Sequence, residues 1–248
     1  MAHSYRTLQH WNQWLTQQFL GEHLLAAEKN ILSEMLDRHF GRHAVLIGTP
    51  NQANLLHATT IPMHSLLSPI IPHGKKIGHI EADFHELPIL TGSIDLVMLP
   101  HTLEFIDNPR QLLAEACRII KPEGLIVICG FNPYSIWGLK KIFSKNKSAP
   151  WSAQFMHANK IKSWLHLADF EMEKQRHFLY RPPANNKSTF HQLRFIEQIG
   201  KCFPMLGSVY VLLARAKVIP LTPIRLKWKQ QLGGVRISTT ITGHIARS

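Results

Sequence analysis

The sequence predicts an α/β protein built on a doubly wound, mostly parallel sheet, and three observations carry that prediction. Short apolar runs alternate with helix-length stretches along residues 43–131. Two of the runs, SIDLVMLP at 93–100 and LIVICGF at 125–131, are apolar almost throughout, as strands covered on both faces must be. The segment between them reads as a helix with its own start and stop signals. Strands separated by helices at this spacing pair in parallel through right-handed crossovers.

Taken in order, Trp11, Trp14, Leu15 and Phe19 fit a first short helix that ends near Gly21. In EHLLAAEKNILSEMLDRHFG (22–41) the apolar residues Leu24, Leu25, Ile31, Leu32, Met35 and Leu36 recur at helical spacing, and Gly41 is a plausible stop. These two helices are expected to cover one edge of a ligand cleft. HAVLIGT (43–49) is a strand running into a tight turn at Gly48, and NQANLLHA (51–58) continues as a helix. IPMHSLL (61–67) and KKIGHIEAD (75–83) supply two further strands, and SIDLVMLP is the fourth and clearest. Asn108 before Pro109 starts the next helix: Asn caps free amides, and Pro at the first helical position gives up no hydrogen bond. Its buried stripe is Leu112, Leu113, Ala116, Ile119 and Ile120, and Pro122 with Gly124 closes it before the fifth strand. Beyond Phe131, SIWGLKKIFSKNKSAP (135–150) reads as a basic connection. SAQFMHANKIKSWLHLADF (152–170) is an amphipathic helix with Ile161, Trp164, Leu165 and Leu167 inward. EMEKQRHFLY (171–180) is a strand, STFHQLRFIEQIGKCF (188–203) an inserted helix and GSVYVLLARAKV (207–218) the last strand. The expected organisation is a helical cap at 1–40, a sheet domain at 41–220 with a helical insertion near 187–203, and a basic, disordered tail at 221–248.

Composition bounds the function. Hydrophobic residues make up 45% and charged residues 18%, so the chain is expected to fold. The net charge of +12 is unevenly spread: residues 1–130 hold 9 basic and 12 acidic side chains, whereas residues 131–248 hold 19 and 4, a balance of +15. Such a half suits nucleic acid or another polyanion; a solvated basic face is the plainer reading of the same numbers. Cys117, Cys129 and Cys202 stand far apart with no CxxC pair, which points to a reduced cytoplasmic interior. MAHSYRTLQHWNQWLTQQF has no unbroken apolar core, so no secretory signal is expected, and no stretch is long and apolar enough for a transmembrane segment. Sixteen histidines show no metal-ligand spacing, and no metal is predicted.

Within ADFHELPILTGSIDLVMLPHTLEFIDNPRQLLAEACRIIKPEGLIVI (82–128), Asp83-Phe84, Leu87-Pro88, Ile94-Asp95-Leu96-Val97 and Pro122 to Gly124 follow one another in a distinctive order. In that order the chain resembles the class I S-adenosylmethionine-dependent methyltransferases of the type 11 group. The match is best over roughly residues 40–135; the tryptophan-rich start and GFNPYSIWG (130–138) are similar to a smaller bacterial subgroup. The resemblance implies a seven-stranded Rossmann-like sheet with an antiparallel last strand, S-adenosyl-L-methionine as cofactor and a methyl acceptor that the sequence does not identify.

It also implies a site map. Gly48 matches the first glycine of the family's cofactor loop and Thr49 follows it, but Pro50 and Gln52 stand where further glycines are usual. No Asp or Glu lies between Asp37 and Glu81, so the family's ribose carboxylate is missing, and His64 or Ser65 is the candidate substitute. Asp83 and Phe84 match the adenine pair, with a turn-capping aspartate as the alternative. His101, Thr102 and Glu104 follow the fourth strand at its carboxyl end, where ligands bind in such sheets. His101 and Glu104 are the candidate acid/base residues, His101 also facing the cofactor; decoration of a helix start is the alternative. Asp95, at the other strand end, reads as structural. Asn132, Tyr134 and Trp137 either line an acceptor pocket or form a turn. Two functions are compatible with these residues: a methyltransferase whose basic half recruits an anionic acceptor, and a non-catalytic nucleic-acid- or protein-binding module on the same sheet.

Overall fold

The computed structural model describes residues 2–71, 78–144, 148–183, 200 and 203–218, which belong to one compact unit ending at Val218. The expected tail at 221–248 and all of the expected insertion except Gly200 and Phe203 lie outside the described residues. Seven strands form one sheet: β1 (His43–Ile47), β2 (Met63–Ser68), β3 (Gly78–Glu81), β4 (Ile94–Pro100), β5 (Ile120–Phe131), β6 (Phe170–Phe178) and β7 (Val209–Ala216). Their order is β3-β2-β1-β4-β5-β7-β6. All pairings are parallel except those of β7, which runs antiparallel to both β5 and β6. This is the doubly wound sheet the sequence predicts, with the switch of strand order between β1 and β4.

Helix α1 (Ala2–Gln17) and helix α2 (Phe19–Leu36) precede the sheet. Gly21 is not the end of the first helix but lies inside the second. A Cβ at Gly21 would come within 2.5 Å of the Trp14 carbonyl oxygen, so glycine is needed there for the two helices to approach. The stretch Pro50–Ala58 is a 3-10 helix, and Gly41 lies beyond the end of α2 at Leu36. Helix α3 (Pro109–Ile119) starts as expected: the Asn108 side-chain oxygen accepts from the Gln111 amide at 3.3 Å, with Pro109 first in the helix. Pro122 and Gly124 do not separate helix from strand. The pairing register jumps from Ile94↔Ile120 to Leu96↔Leu125, so the intervening residues bulge, with Glu123 at φ 64.

The expected basic connection after β5 is helix α4 (Ile136–Phe143), capped by the Ser135 hydroxyl, which accepts from the Gly138 amide at 3.2 Å. Its lysines hide a helical apolar period. Helix α5 (Ala158–Leu167) buries Ile161 and Leu165, but Leu167 points to solvent because the helix ends there. Asp95 is structural, as read from sequence. Its Oδ2 accepts from the Arg42 and His43 amides, and Lys121 Nζ donates to Oδ1 at 2.9 Å.

Candidate functional site

The carboxyl ends of β1, β4 and β5 meet at a buried polar centre. His101 is the first residue past β4 and adopts φ 58, a left-handed conformation that costs a histidine energy and persists only where neighbours enforce it. Here two carboxylates enforce it. His101 Nδ1 lies 2.8 Å from Glu104 Oε2 and its Nε2 2.6 Å from Glu28 Oε1, and all three side chains are fully buried. The second oxygen of Glu104 accepts from the Phe131 amide at 2.7 Å. Burial alone works to lower the His101 pKa, but the Glu28 charge and hydrogen bonds to both carboxylates outweigh it and raise it to about 9. Burial raises the Glu104 pKa, against the opposing pull of His101. His101 is therefore a buried imidazolium at neutral pH, with neither ring nitrogen left for a ligand.

Aromatic rings enclose this centre. Trp11 of α1 stacks on Phe105 at 4.7 Å and meets the His101 ring at 5.4 Å, while Phe131 lies 4.1 Å from that ring. Trp137 and Phe155 continue the wall beyond Phe131. Two polar atoms within it have no hydrogen-bond partner: Trp11 Nε1 and Glu28 Oε2. Such orphans cost free energy unless something completes them.

The loop after β1 is held by its own side chains. Gln52 Oε1 accepts from the Thr49 amide at 2.9 Å and from its hydroxyl at 3.0 Å, and Gln52 Nε2 donates to the Pro100 carbonyl at 2.7 Å. Thr102 donates to the Ile47 carbonyl at 2.6 Å, so Gln52 and Thr102 lace the ends of β1 and β4 together. A Cβ at Gly48 would stand 2.7 Å from Gln52 Oε1. The Thr49-x-x-Gln52 spacing is that of a helix capping box, which explains a glutamine where a glycine is usual.

Beside this laced junction, past the ends of β2 and β3, is a cavity of about 350 Å³ whose lining includes Tyr5, Leu8, Pro69, Glu81, Asp83 and Phe84. Its far wall is Ile106, Asp107 and Asn108. Phe84 is buried. Asp83 Oδ1 receives His85 Nδ1 at 2.7 Å, which holds the carboxyl below its usual range, so it caps its turn and lines the cavity at once. Of the residues singled out from sequence, Asp83 and Phe84 share this cavity, while Gly48, Thr49, His101 and Glu104 gather at the adjoining strand ends.

His64 is the exception. It is the second residue of β2, paired with Ala44, and its ring lies 5.7 Å from His57, at the amino end of the strand. Ser65 is likewise displaced from the edge and hydrogen-bonds His43 at 2.8 Å. The reason is strand length: β2 runs on to Ser68, so the carboxyl edge begins at Ser68 and Pro69. Ser68 pairs in register with Glu81, which places the Glu81 carboxylate on the cavity wall one strand over from the missing acid.

Sequence reasoning missed Glu28 and Glu81. Glu28 had a signal, being the one carboxylate on the i, i+4 stripe formed with Leu24 and Leu32. Glu81 had none, because its value depends on the β2–β3 register.

Residues 64–128 match the family model described as a methyltransferase domain. The chain is 33% identical over 148 residues to the uncharacterized protein YafS of Escherichia coli (strain K12), covering 58% of this chain and 57% of that protein. It is 28% identical over 89 residues to the malonyl-[acyl-carrier protein] O-methyltransferase of Laribacter hongkongensis (strain HLHK9), covering 36% of this chain and 30% of that enzyme. The match thus spans little over half the length of the first relative and less of the second. Among solved structures, a SAM-dependent methyltransferase from Thermotoga maritima superposes with a TM-score of 0.60 at 18% identity, over 84% of this chain and all of the other. That likeness is one of fold. Residues 64–128 thus match a methyltransferase-domain model and lie in a sheet that shares the fold of that solved methyltransferase.

Proposed function

We propose that the protein is an S-adenosylmethionine-dependent methyltransferase that binds the nucleoside of its cofactor in the Asp83–Phe84 cavity. The observation that carries this reading is the cavity itself, at the carboxyl edge of the sheet and walled by the rings of Tyr5 and Phe84 and by three carboxylates, Glu81, Asp83 and Asp107. A nucleoside offers a flat apolar base and hydroxyl donors, and those are the groups this lining complements. Phe84, Pro69 and Ile106 would pack against the base, Asp83 would accept from it, and Glu81 would take the ribose hydroxyls in place of the acid that β2 lacks. The bound cofactor supplies a methyl group already activated by its positive sulfur.

What remains for the protein is to orient, to exclude water and to receive a proton. Tyr5 and Leu8 of α1 line the cavity, so α1 shields the ligand from solvent. The aromatic wall around His101 suits the imidazolium that it already encloses. Glu104 and His101 act by positioning: together they hold Glu28, whose free Oε2 is the open acceptor of the triad.

Titration calorimetry with S-adenosylmethionine and its demethylated product tests this reading. Binding is expected with both ligands, weakened about tenfold by Asp83→Ala and by Glu81→Ala, each of which removes one hydrogen-bonding carboxylate. Glu104→Ala should weaken it less than Asp83→Ala does. No heat with either ligand at millimolar concentration contradicts the reading, and the reverse order of the two variants contradicts the site map.

A further inference from the structure

Helix α4 is inside out. Trp137 and Gly138 face the protein, Lys141 reaches the Ala153 carbonyl and Lys140 donates to the Pro183 carbonyl at 2.8 Å. The outward face is Ile136, Leu139, Ile142 and Phe143, an apolar stripe at helical spacing, with Ile142 75% and Phe143 78% exposed. Across a shallow cavity of about 520 Å³ stand Phe203 and Leu206, with Met205 between them in sequence and all three exposed, so the stripe is one side of a continuous apolar face. Asn132 fixes the two sides relative to each other by donating to the Met205 and Gly207 carbonyls at 2.7 and 3.0 Å. Contiguous exposed apolar surface of this kind marks an interaction site.

The surrounding charge says what covers it. The sequence from 135 to 168 carries six lysines and no carboxylate side chain; of the four described, Lys141 is turned to the Ala153 carbonyl, Lys140 and Lys160 are exposed, and Lys162 is within electrostatic reach of His177, which packs on Gly207. Aliphatic and aromatic side chains projecting outward from a lysine-rich segment are the combination that inserts into the headgroup region of an anionic bilayer. Nucleic acid would call for exposed basic side chains over a groove; here the most exposed side chains of the face, Phe143 and Ile142, are apolar. No helix among the described residues is long and apolar enough to cross a membrane, so attachment would be peripheral.

We infer that the face formed by α4 and residues 203–206 docks the protein on an anionic phospholipid bilayer. The face begins at Tyr134, three residues past the β5 carboxyl end, where the Phe131 amide binds Glu104. Docking there sets the buried centre beside the membrane, so an acceptor can arrive from the lipid phase without crossing water.

Flotation of the full chain with vesicles tests this. Phosphatidylglycerol-containing vesicles are expected to carry the protein, phosphatidylcholine vesicles far less, and high salt is expected to weaken binding. The double variant Ile142→Glu, Phe143→Glu should lower partitioning at least about tenfold, with unchanged melting temperature and cofactor heats. Leu90→Glu, at a 79% exposed leucine outside the face, should bind like the parent. Failure to float at low salt overturns the proposal, as does equal flotation of parent and double variant. Light scattering that shows a dimer dissociated by the double variant also overturns it, assigning the face to a second copy. Cofactor heats are read separately, so these outcomes do not depend on the methyltransferase reading.

Discussion

His101 is held in a left-handed conformation, protonated, between two buried carboxylates, and that arrangement fixes its response to pH. Its pKa is raised from 6.5 to about 9, so the stability it contributes is complete below pH 6.5 and is lost as the pH rises through 9. The groups facing it are Glu28 from α2, Glu104 beside it and, around Glu104, Lys141, Cys129 and Tyr210, whose thiol and phenol stay protonated through this range. Thermal melts should therefore show the melting temperature falling between pH 6.5 and 9, and His101→Gln should lack that fall. At pH 7 His101→Leu would leave two buried carboxylates without their cation, a loss of about 3–5 kcal/mol by chemical denaturation. Of this centre, His101 and Glu104 were legible because polar residues interrupt an apolar strand end. Glu28 lay 73 positions from His101, and nothing local to either announces their contact.

At the scale of elements, α1 and α2 connect the cavity to the buried centre, and Gly21 sets how closely they pack. Adding a methyl group there brings its carbon to 2.5 Å from the Trp14 carbonyl oxygen, so Gly21→Ala should cost about 1–3 kcal/mol in a denaturation experiment. Because α1 also carries Tyr5 and Leu8 into the cavity, the same variant should weaken cofactor binding, while a change on the far side of the molecule should not. The strands were legible because their apolar runs are set by burial on both faces, and α3 because its cap and proline act locally. Two elements were read otherwise for physical reasons. Gly21 signals a helix end in sequence, yet close helix contact uses the same residue. In α4 an outward apolar stripe between lysines reads as a basic loop until the burial of Trp137 shows which side faces in.

For the whole molecule, the sheet order β3-β2-β1-β4-β5-β7-β6 leaves a crevice at the switch between β1 and β4, and the proposed ligand site lies beside it. The doubly wound parallel core followed from periodicity and spacing and the antiparallel last strand from the resemblance; the proposed ribose contact followed from neither, because it uses Glu81 of β3, which the parallel register sets beside Ser68 at the end of β2. The most direct measurement is a crystal structure grown with excess S-adenosylhomocysteine. The account predicts its adenosine between Phe84, Pro69 and Ile106, with the ribose hydroxyls on Glu81. Density confined to the protein's own side chains throughout that cavity, or a nucleoside bound elsewhere, would contradict it.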